Sequence, residues 1–199
     1  TLDYEQVPVE LPHHKIVIMN SMTRRELVDS EYNTRRKQCE AALKQLQEVV
    51  NVSSLGELTE EAFEKYKQVI DDEVLMRRAR HAVYESVRTD RAAEALKAGQ
   101  LEQFGTHMND SHISLDEDYE VTIKATDLLS RAAWDEDGVL GARMTGGGFG
   151  GCCIAIVENE QVEPFIENVG MKFKEEIGHE AEFYIAETAD GTREWVANE

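Results

Sequence analysis

The chain has 199 residues, 21 basic and 40 acidic, and a net charge of −19. That length fits one domain or at most two small ones, and a hydrophobic fraction of 41% with two Trp, six Tyr and six Phe is enough for a core. The acidic balance argues against nucleic acid, where affinity comes from Lys and Arg on phosphates, and against an anionic membrane surface.

Val7, Val9 and Leu11 alternate with polar residues, which predicts a half-buried strand, and Pro8 puts it at an edge. A β-branched apolar run predicts a second strand over 15–20, after a turn at 11–14. The period then becomes helical. Tyr32, Cys39, Leu43, Leu46 and Val50 stripe a helix over 31–50, with Asp29 or Ser30 as cap. Phe63, Tyr66 and Ile70 stripe a second helix, capped by Thr59, with Glu60 and Glu61 where the helix dipole favours acids. A third helix covers 72–98, with a candidate bend at Thr89-Asp90 and a stop at Gly99. Leu101, Phe104, Met108 and Leu115 mark a fourth, and Val121, Ala125, Leu128 and Ala132 a fifth.

Two strands, 138–144 and 152–157, flank a glycine loop. Val162, Ile166, Val169, Phe173 and Ile177 form a sixth helix closed by Gly178, and a last strand covers 181–187. Residues 189–199 are expected to fray. The order predicts an α+β fold with an antiparallel or mixed sheet packed with several helices. Residues 1–199 read as one domain: strands within 1–30, mainly helix over 31–135, and strand-loop-strand-helix-strand over 136–188.

The longest apolar runs, 16–19 and 152–157, are far short of the ~20 residues of a membrane span. Cys39, Cys152 and Cys153 form no CxxC pair, so neither a zinc knuckle nor a redox motif is on offer. A reduced, cytoplasmic compartment is expected, and the polar, acidic stretch 1–10 is no secretory signal. The start at Thr1 rather than Met reads as that of a fragment.

The most informative stretch is the loop. Six of the thirteen glycines lie between 141 and 151. A hairpin needs only one or two. Clustered glycines allow positive φ and close backbone approach, and they can aim several N–H groups at an anion. The order is not that of a Walker A loop, because no Gly-Lys-Ser/Thr follows. Nor is it a dinucleotide fingerprint, because a strand follows rather than a helix. A ligand-facing or loop-supporting role is the stronger reading.

The run Met144-Thr145-Gly146-Gly147-Gly148-Phe149-Gly150-Gly151-Cys152 resembles the third motif of the galactokinases, within the GHMP family of small-molecule kinases. The likeness extends to Asn20-Ser21, to Ser30-Glu31-Tyr32-Asn33 and to Arg35 through Glu40. It continues through Ala79-Arg80-His81, Phe104-Gly105, Met108-Asn109, Ser111-His112, Ser114-Leu115 and Asp118-Tyr119-Glu120-Val121. It covers nearly the whole chain and implies a C-terminal half with a ferredoxin-like core.

The resemblance implies ATP-dependent phosphorylation of α-D-galactose to galactose 1-phosphate, with galactose, ATP and Mg²⁺ as reactants and cofactor. It also implies that the sugar signature, phosphate loop, magnesium-binding Glu and catalytic Asp and Arg belong to an N-terminal half, the expected partner. No catalytic residue and no metal ligand is expected in this chain, which is expected to be inactive alone. Tyr32 is the expected sugar contact. Thr145, Gly146, Gly147, Gly148, Gly150 and Gly151 are expected to support the active site rather than to react. An interface opened by the missing half could promote dimerisation. A sugar sensor that regulates transcription, or a kinase for N-acetylgalactosamine or another sugar, is the alternative.

Other candidates read as structural. His13-His14 is a solvated turn; His107 and His112 are surface or capping groups. Asp71-Asp72-Glu73 and Asp116-Glu117-Asp118 are read as helix N-termini rather than Mg²⁺ sites. Arg77, Arg78 and Arg80 balance nearby acids. Cys152 and Cys153 open a buried strand.

Overall fold

The computed structural model describes residues 4–23 and 28–189, with side chains from residue 31 onward in the first helix. Four strands, β1 (His14–Asn20), β2 (Val139–Met144), β3 (Cys152–Glu158) and β4 (Glu182–Ala186), form one sheet in the order β2-β3-β1-β4. Every pairing is antiparallel. Helices α1 (Val28–Leu46), α2 (Glu60–Tyr66), α3 (Glu73–Lys97), α4 (Leu101–Glu117) and α5 (Lys124–Trp134) separate β1 from β2, and α6 (Val162–Ile177) separates β3 from β4. This is β-α-β-β-α-β connectivity, the ferredoxin-like arrangement, with its first crossover expanded by helices. The α+β expectation holds, in its antiparallel form.

Alternation along the strands sends Val17, Met19, Ala142, Met144, Cys153 and Ala155 to one face, where they pack with Leu129 of α5 and Phe165 and Phe173 of α6. A second cluster lies apart from the sheet. It joins Ala42 and Leu46 of α1, Phe63 of α2, and Ala79 and Val83 of α3. Local chemistry sets several boundaries. Thr59 accepts from the Ala62 N–H at the start of α2 (3.1 Å), and Asp72 Oδ1 accepts from Val74 and Leu75 at the start of α3 (2.7 and 3.1 Å). Gly178 ends α6 at φ 90°, a left-handed C-terminal position suited to glycine.

Several expectations fail: Ile70 lies beyond α2, Val121 precedes α5, and His14 opens β1 with its Nδ1 buried instead of sitting in a solvated turn. Residues 7–11 form no strand; Pro8 and Pro12 lack donors, and Val9 and Leu11 instead line a cavity. Helix α1 ends at Leu46, not Val50, because the chain tightens into i→i+3 bonds from Glu48 to Gln45 and Val49 to Leu46 (3.2 and 3.0 Å). Asp29 and Ser30 lie inside α1 rather than ahead of it. Helix α3 runs through Thr89-Asp90 as one element of 25 residues, and the Thr89 hydroxyl donates back to the Glu85 carbonyl within it (2.8 Å). The expected fraying over 189–199 falls, beyond Ala189, outside the described residues.

Candidate functional site

The glycine loop hangs between β2 and β3, and its position depends on how β2 is held. Strand β2 is an edge of the sheet, and an edge exposes unpaired N–H groups. Helix α4 covers it. The Ala142 N–H donates to Asn109 Oδ1 (2.8 Å) and the Met144 N–H to His112 Nδ1 (3.1 Å). The helix can lie this close only because Gly105 and Gly141 face one another: a Cβ on Gly141 would stand 2.3 Å from the Gly105 carbonyl oxygen. The sheet register slips between Val139 and Gly141, beside this contact. Trp134 of α5 adds a hydrogen bond from its Nε1 to the Ala142 carbonyl (2.9 Å).

His112 is therefore a core group with 0% exposure, not a surface or capping one. Its Nδ1 accepts, so its proton sits on Nε2, 3.4 Å from Asp127 Oδ1. Burial lowers its pKa, while Asp127 opposes the shift. His107 sits five residues away on the same helix, half-buried, with Nε2 shut off from solvent and without a hydrogen-bond partner.

The loop itself is held at three points. The Thr145 N–H donates to the Cys152 carbonyl (2.9 Å), the Ser21 N–H to the Gly151 carbonyl (3.0 Å), and the Phe149 N–H to the Val121 carbonyl (2.6 Å). Positive φ runs through Gly148 (87°), Phe149 (61°), Gly150 (124°) and Gly151 (91°). Gly148 is buried, and a Cβ there would stand 2.4 Å from the Val121 oxygen. Gly147 is different: it is exposed, and a Cβ would meet nothing within 4 Å. The amides of Gly146 and Gly147, both exposed, hydrogen-bond to no described residue. They are available to an anion or a facing backbone.

Val121 is fixed in turn by the connection between α4 and α5. Arg35 Nε and Nη2 donate to the carbonyls of Tyr119 and Glu120 (2.6 and 2.8 Å). Arg77 Nη1 donates to the Glu117 carbonyl and to Glu120 Oε1, both 2.7 Å. Arg78, 2% exposed, donates to Gln38 Oε1 (3.1 Å), the Asp118 carbonyl (2.6 Å) and Glu120 Oε2 (2.5 Å). Arg80 pairs with the Asp118 carboxylate. Hydrogen bonds from Arg78 and Arg77 pull the Glu120 pKa down to about 2. The arginines do balance acids, as expected, and they also bind backbone. His81 stacks on Tyr119 at 4.2 Å and 15°, and its Nδ1 meets Ser114 Oγ at 2.9 Å. Burial lowers the His81 pKa to about 4 and raises that of Tyr119 to about 12.

Asp116-Glu117-Asp118 ends α4 rather than starting a helix. Acids there oppose the helix dipole, and cations offset them: Arg131 pairs with Asp116 (3.0 Å) and Arg80 with Asp118. Asp72, by contrast, caps α3 as expected. Cys153 is buried, which lifts its pKa to about 12 and leaves an inert thiol. Among the described residues, no group of three or more His, Cys, Asp or Glu could hold a metal ion.

Tyr32 lies near the start of α1 and is 57% exposed, so it is not a core residue despite its helical spacing. One turn later on α1, the Arg35 guanidinium lies 5.7 Å from the centre of the Phe149 ring. Arg35 thus connects the helix that carries Tyr32 to the glycine loop. Beside Phe149 is an open cavity of about 540 Å³, lined also by Thr23, Ile123, Lys124, Ile177 and His179. Three groups that support the loop, Arg35, Asn109 and Glu120, stand in the sequence only as members of the motifs, and their spacing carries no sign that they converge with His112.

Residues 92–174 match the family described as GHMP kinases C terminal. The chain is 53% identical over 193 residues to a galactokinase of Ligilactobacillus salivarius, covering 97% of the chain and 50% of the relative. It is 53% identical over 194 residues to a galactokinase of Lactiplantibacillus plantarum, with 98% and 50% covered. The crystal structure of Lactococcus lactis galactokinase complexed with galactose superimposes with a TM-score of 0.92 at 49% identity, over 96% of this chain and 49% of that one. The mevalonate kinase of L. major shares the fold, with a TM-score of 0.56 at 16% identity over 92% of this chain and 46% of that one. The chain spans about half the length of the curated relatives it matches.

Proposed function

We infer, from a chain that is related to the galactokinases of the GHMP kinase family and corresponds to their C-terminal half, that it serves ATP-dependent phosphorylation of galactose. In this reading the γ-phosphoryl of ATP passes to the C1 hydroxyl of α-D-galactose, and galactose 1-phosphate and ADP leave. Such transfer is mostly positioning and charge stabilisation. The observation that carries the reading is the high identity over almost the whole chain, with the same fold as a galactokinase complexed with galactose. Residues 1–199 would be one domain of a cytoplasmic enzyme. No helix among the described residues is long and apolar enough to cross a membrane.

Within that enzyme we assign Tyr32 to the sugar. Its exposure leaves the phenol free to donate to or accept from a hydroxyl. Thr145, Gly146, Gly147, Gly148, Gly150 and Gly151 would shape the floor of the site. Gly148 would hold the loop against Val121, while the exposed Gly146 and Gly147 would face the reactants or the other half. ATP and Mg²⁺ would be bound mainly by the N-terminal half. The isolated chain would be inactive and could dimerise through its uncovered face.

The test is galactose-dependent ADP release by the full-length protein, wild type beside Tyr32→Phe. Fast release that drops in the variant supports the reading. Galactose binding without ADP release would instead identify a sugar sensor. Release with N-acetylgalactosamine but not galactose would move the assignment to another sugar kinase.

A further inference from the structure

The sheet has a second face, turned away from the main core. Strand alternation places Ile16, Ile154, Ile156 and Arg143 there. Over this face lies a cavity of about 450 Å³, walled on its other sides by Arg88 and Ala92 of α3 and by Phe104, His107 and Met108 of α4. Its volume falls within the range of about 300–1,000 Å³ common for small-molecule sites. Most of the wall is apolar, but three charged side chains reach it.

Two of those charges are spent on each other. Glu85 pairs with Arg88, and its second oxygen accepts from the Ser111 hydroxyl (2.5 Å). Arg143 is different. It is half-buried, its Nε donates to the Met144 carbonyl (3.0 Å), and no described carboxylate lies within ion-pair distance. Burying a cation without a counter-charge is costly. His107 lines the same cavity, but its Nε2 is closed off from it. An apolar chamber with one uncompensated cation is complementary to a molecule with one negative charge and a hydrocarbon body. A more highly charged ligand would meet the Glu85 carboxylate and would leave the isoleucines and Phe104 without partners.

We propose that this cavity binds a small carboxylic acid with an apolar body, its carboxylate paired with Arg143 and its hydrocarbon against Ile154, Ile156 and Phe104. Thr145 lines the cavity and also opens the glycine loop. The occupant would therefore touch the anchored end of that loop from behind.

The experiment is calorimetric titration of the full-length protein with octanoate, with octanamide as the uncharged match and inorganic phosphate as the bare anion. Octanoate should bind at one site per chain, at least about tenfold more tightly than octanamide, with phosphate weaker than both. Arg143→Met should erase the preference for the acid over the amide, and Arg143→Lys should retain part of it. Ala92→Phe, which takes up space in the cavity from its α3 wall and leaves Arg143 in place, should weaken acid and amide together. Absence of octanoate binding to the wild type would overturn the proposal and indicate that Arg143 is satisfied by a carboxylate from outside this chain. So would an undiminished acid preference in a folded Arg143→Met protein, or phosphate binding as tight as octanoate.

Discussion

The glycine loop at 145–151 and the turn at 117–121 meet at one hydrogen bond, from the Phe149 N–H to the Val121 carbonyl, and they are built in opposite ways. The turn is held by side chains: Arg35, Arg77, Arg78 and Arg80 reach it from α1 and α3 and occupy its carbonyls and carboxylates. The loop is held by its own backbone, with three hydrogen bonds and a run of positive φ. The difference lies in what is left over. Nearly every polar group of the turn is committed, so it can act only as a support. The loop keeps exposed amides at Gly146 and Gly147, so it can face a ligand. A rigid, charge-built support lets a loop made almost wholly of glycine hold one shape without side chains of its own.

The largest way to break this arrangement is Arg78→Ala. The side chain is 2% exposed and joins Gln38, Asp118 and Glu120. The Glu120 carboxylate left behind is 44% exposed and stays solvated, but losing a buried charged donor of three hydrogen bonds, each worth about 1.5–3 kcal/mol, should cost at least about 3 kcal/mol. Urea unfolding should show a loss of that order; a loss below about 1 kcal/mol, the size expected of an exposed pair, would mean the turn holds without its clamp.

Acid should loosen the turn next. His81 is buried and neutral, with a pKa near 4 against an ordinary 6.5. The unfolded chain therefore binds its proton first, and the stability is present above pH 6.5 and lost as pH falls through 4. Linkage puts that loss at about 3 kcal/mol. His112, also lowered by burial, acts in the same direction. Glu120, with its pKa near 2 against 4.5, adds a further loss only below pH 4.5. Unfolding free energies measured from pH 7 to 4 should decline, and His81→Gln should flatten the upper part of that decline. A slope unchanged by the substitution would remove His81 from the account.

The smallest effects sharpen the loop itself. Gly148→Ala should cost about 1–3 kcal/mol, because an L side chain there is strained at its φ and meets the Val121 oxygen, and turnover of the full-length protein should fall with it. Gly147→Ala should change stability by no more than about 0.5 kcal/mol. If Gly147→Ala nevertheless lowers turnover, Gly147 faces a reactant or the other half; if both variants leave turnover intact, the loop has no place in the site.

Much of this could be read from the residues. Thr59, Asp72 and Gly178 marked helix ends because a cap acts over two or three residues. The apolar periods at 101–115 and 162–177 located α4 and α6 because those helices bury one face. The unpaired stretch at 7–11 misled for the same reason: alternation reports a half-buried extended chain but not whether another strand lies beside it. His112 misled because its burial depends on the edge of β2, 32 residues away in sequence. Asp116-Glu117-Asp118 was assigned to the wrong end of a helix, since an acidic run carries no direction until the helix around it is placed.

The residues alone carry the α+β class, the order of the elements from residue 14 onward, the loop with its glycines and the resemblance to the galactokinases. These follow from local periodicity, capping and a contiguous motif. It took the folded chain to show that Gly148 packs while Gly147 is free, that the arginines clamp backbone as well as acids, and that Arg143 reaches a chamber with no described carboxylate within ion-pair distance. The first two depend on groups brought together across 27 to 85 positions of chain, as with Gly148 and Val121 or Arg35 and Glu120, the third on strands and helices just as far apart, and no local pattern encodes a distance of that kind.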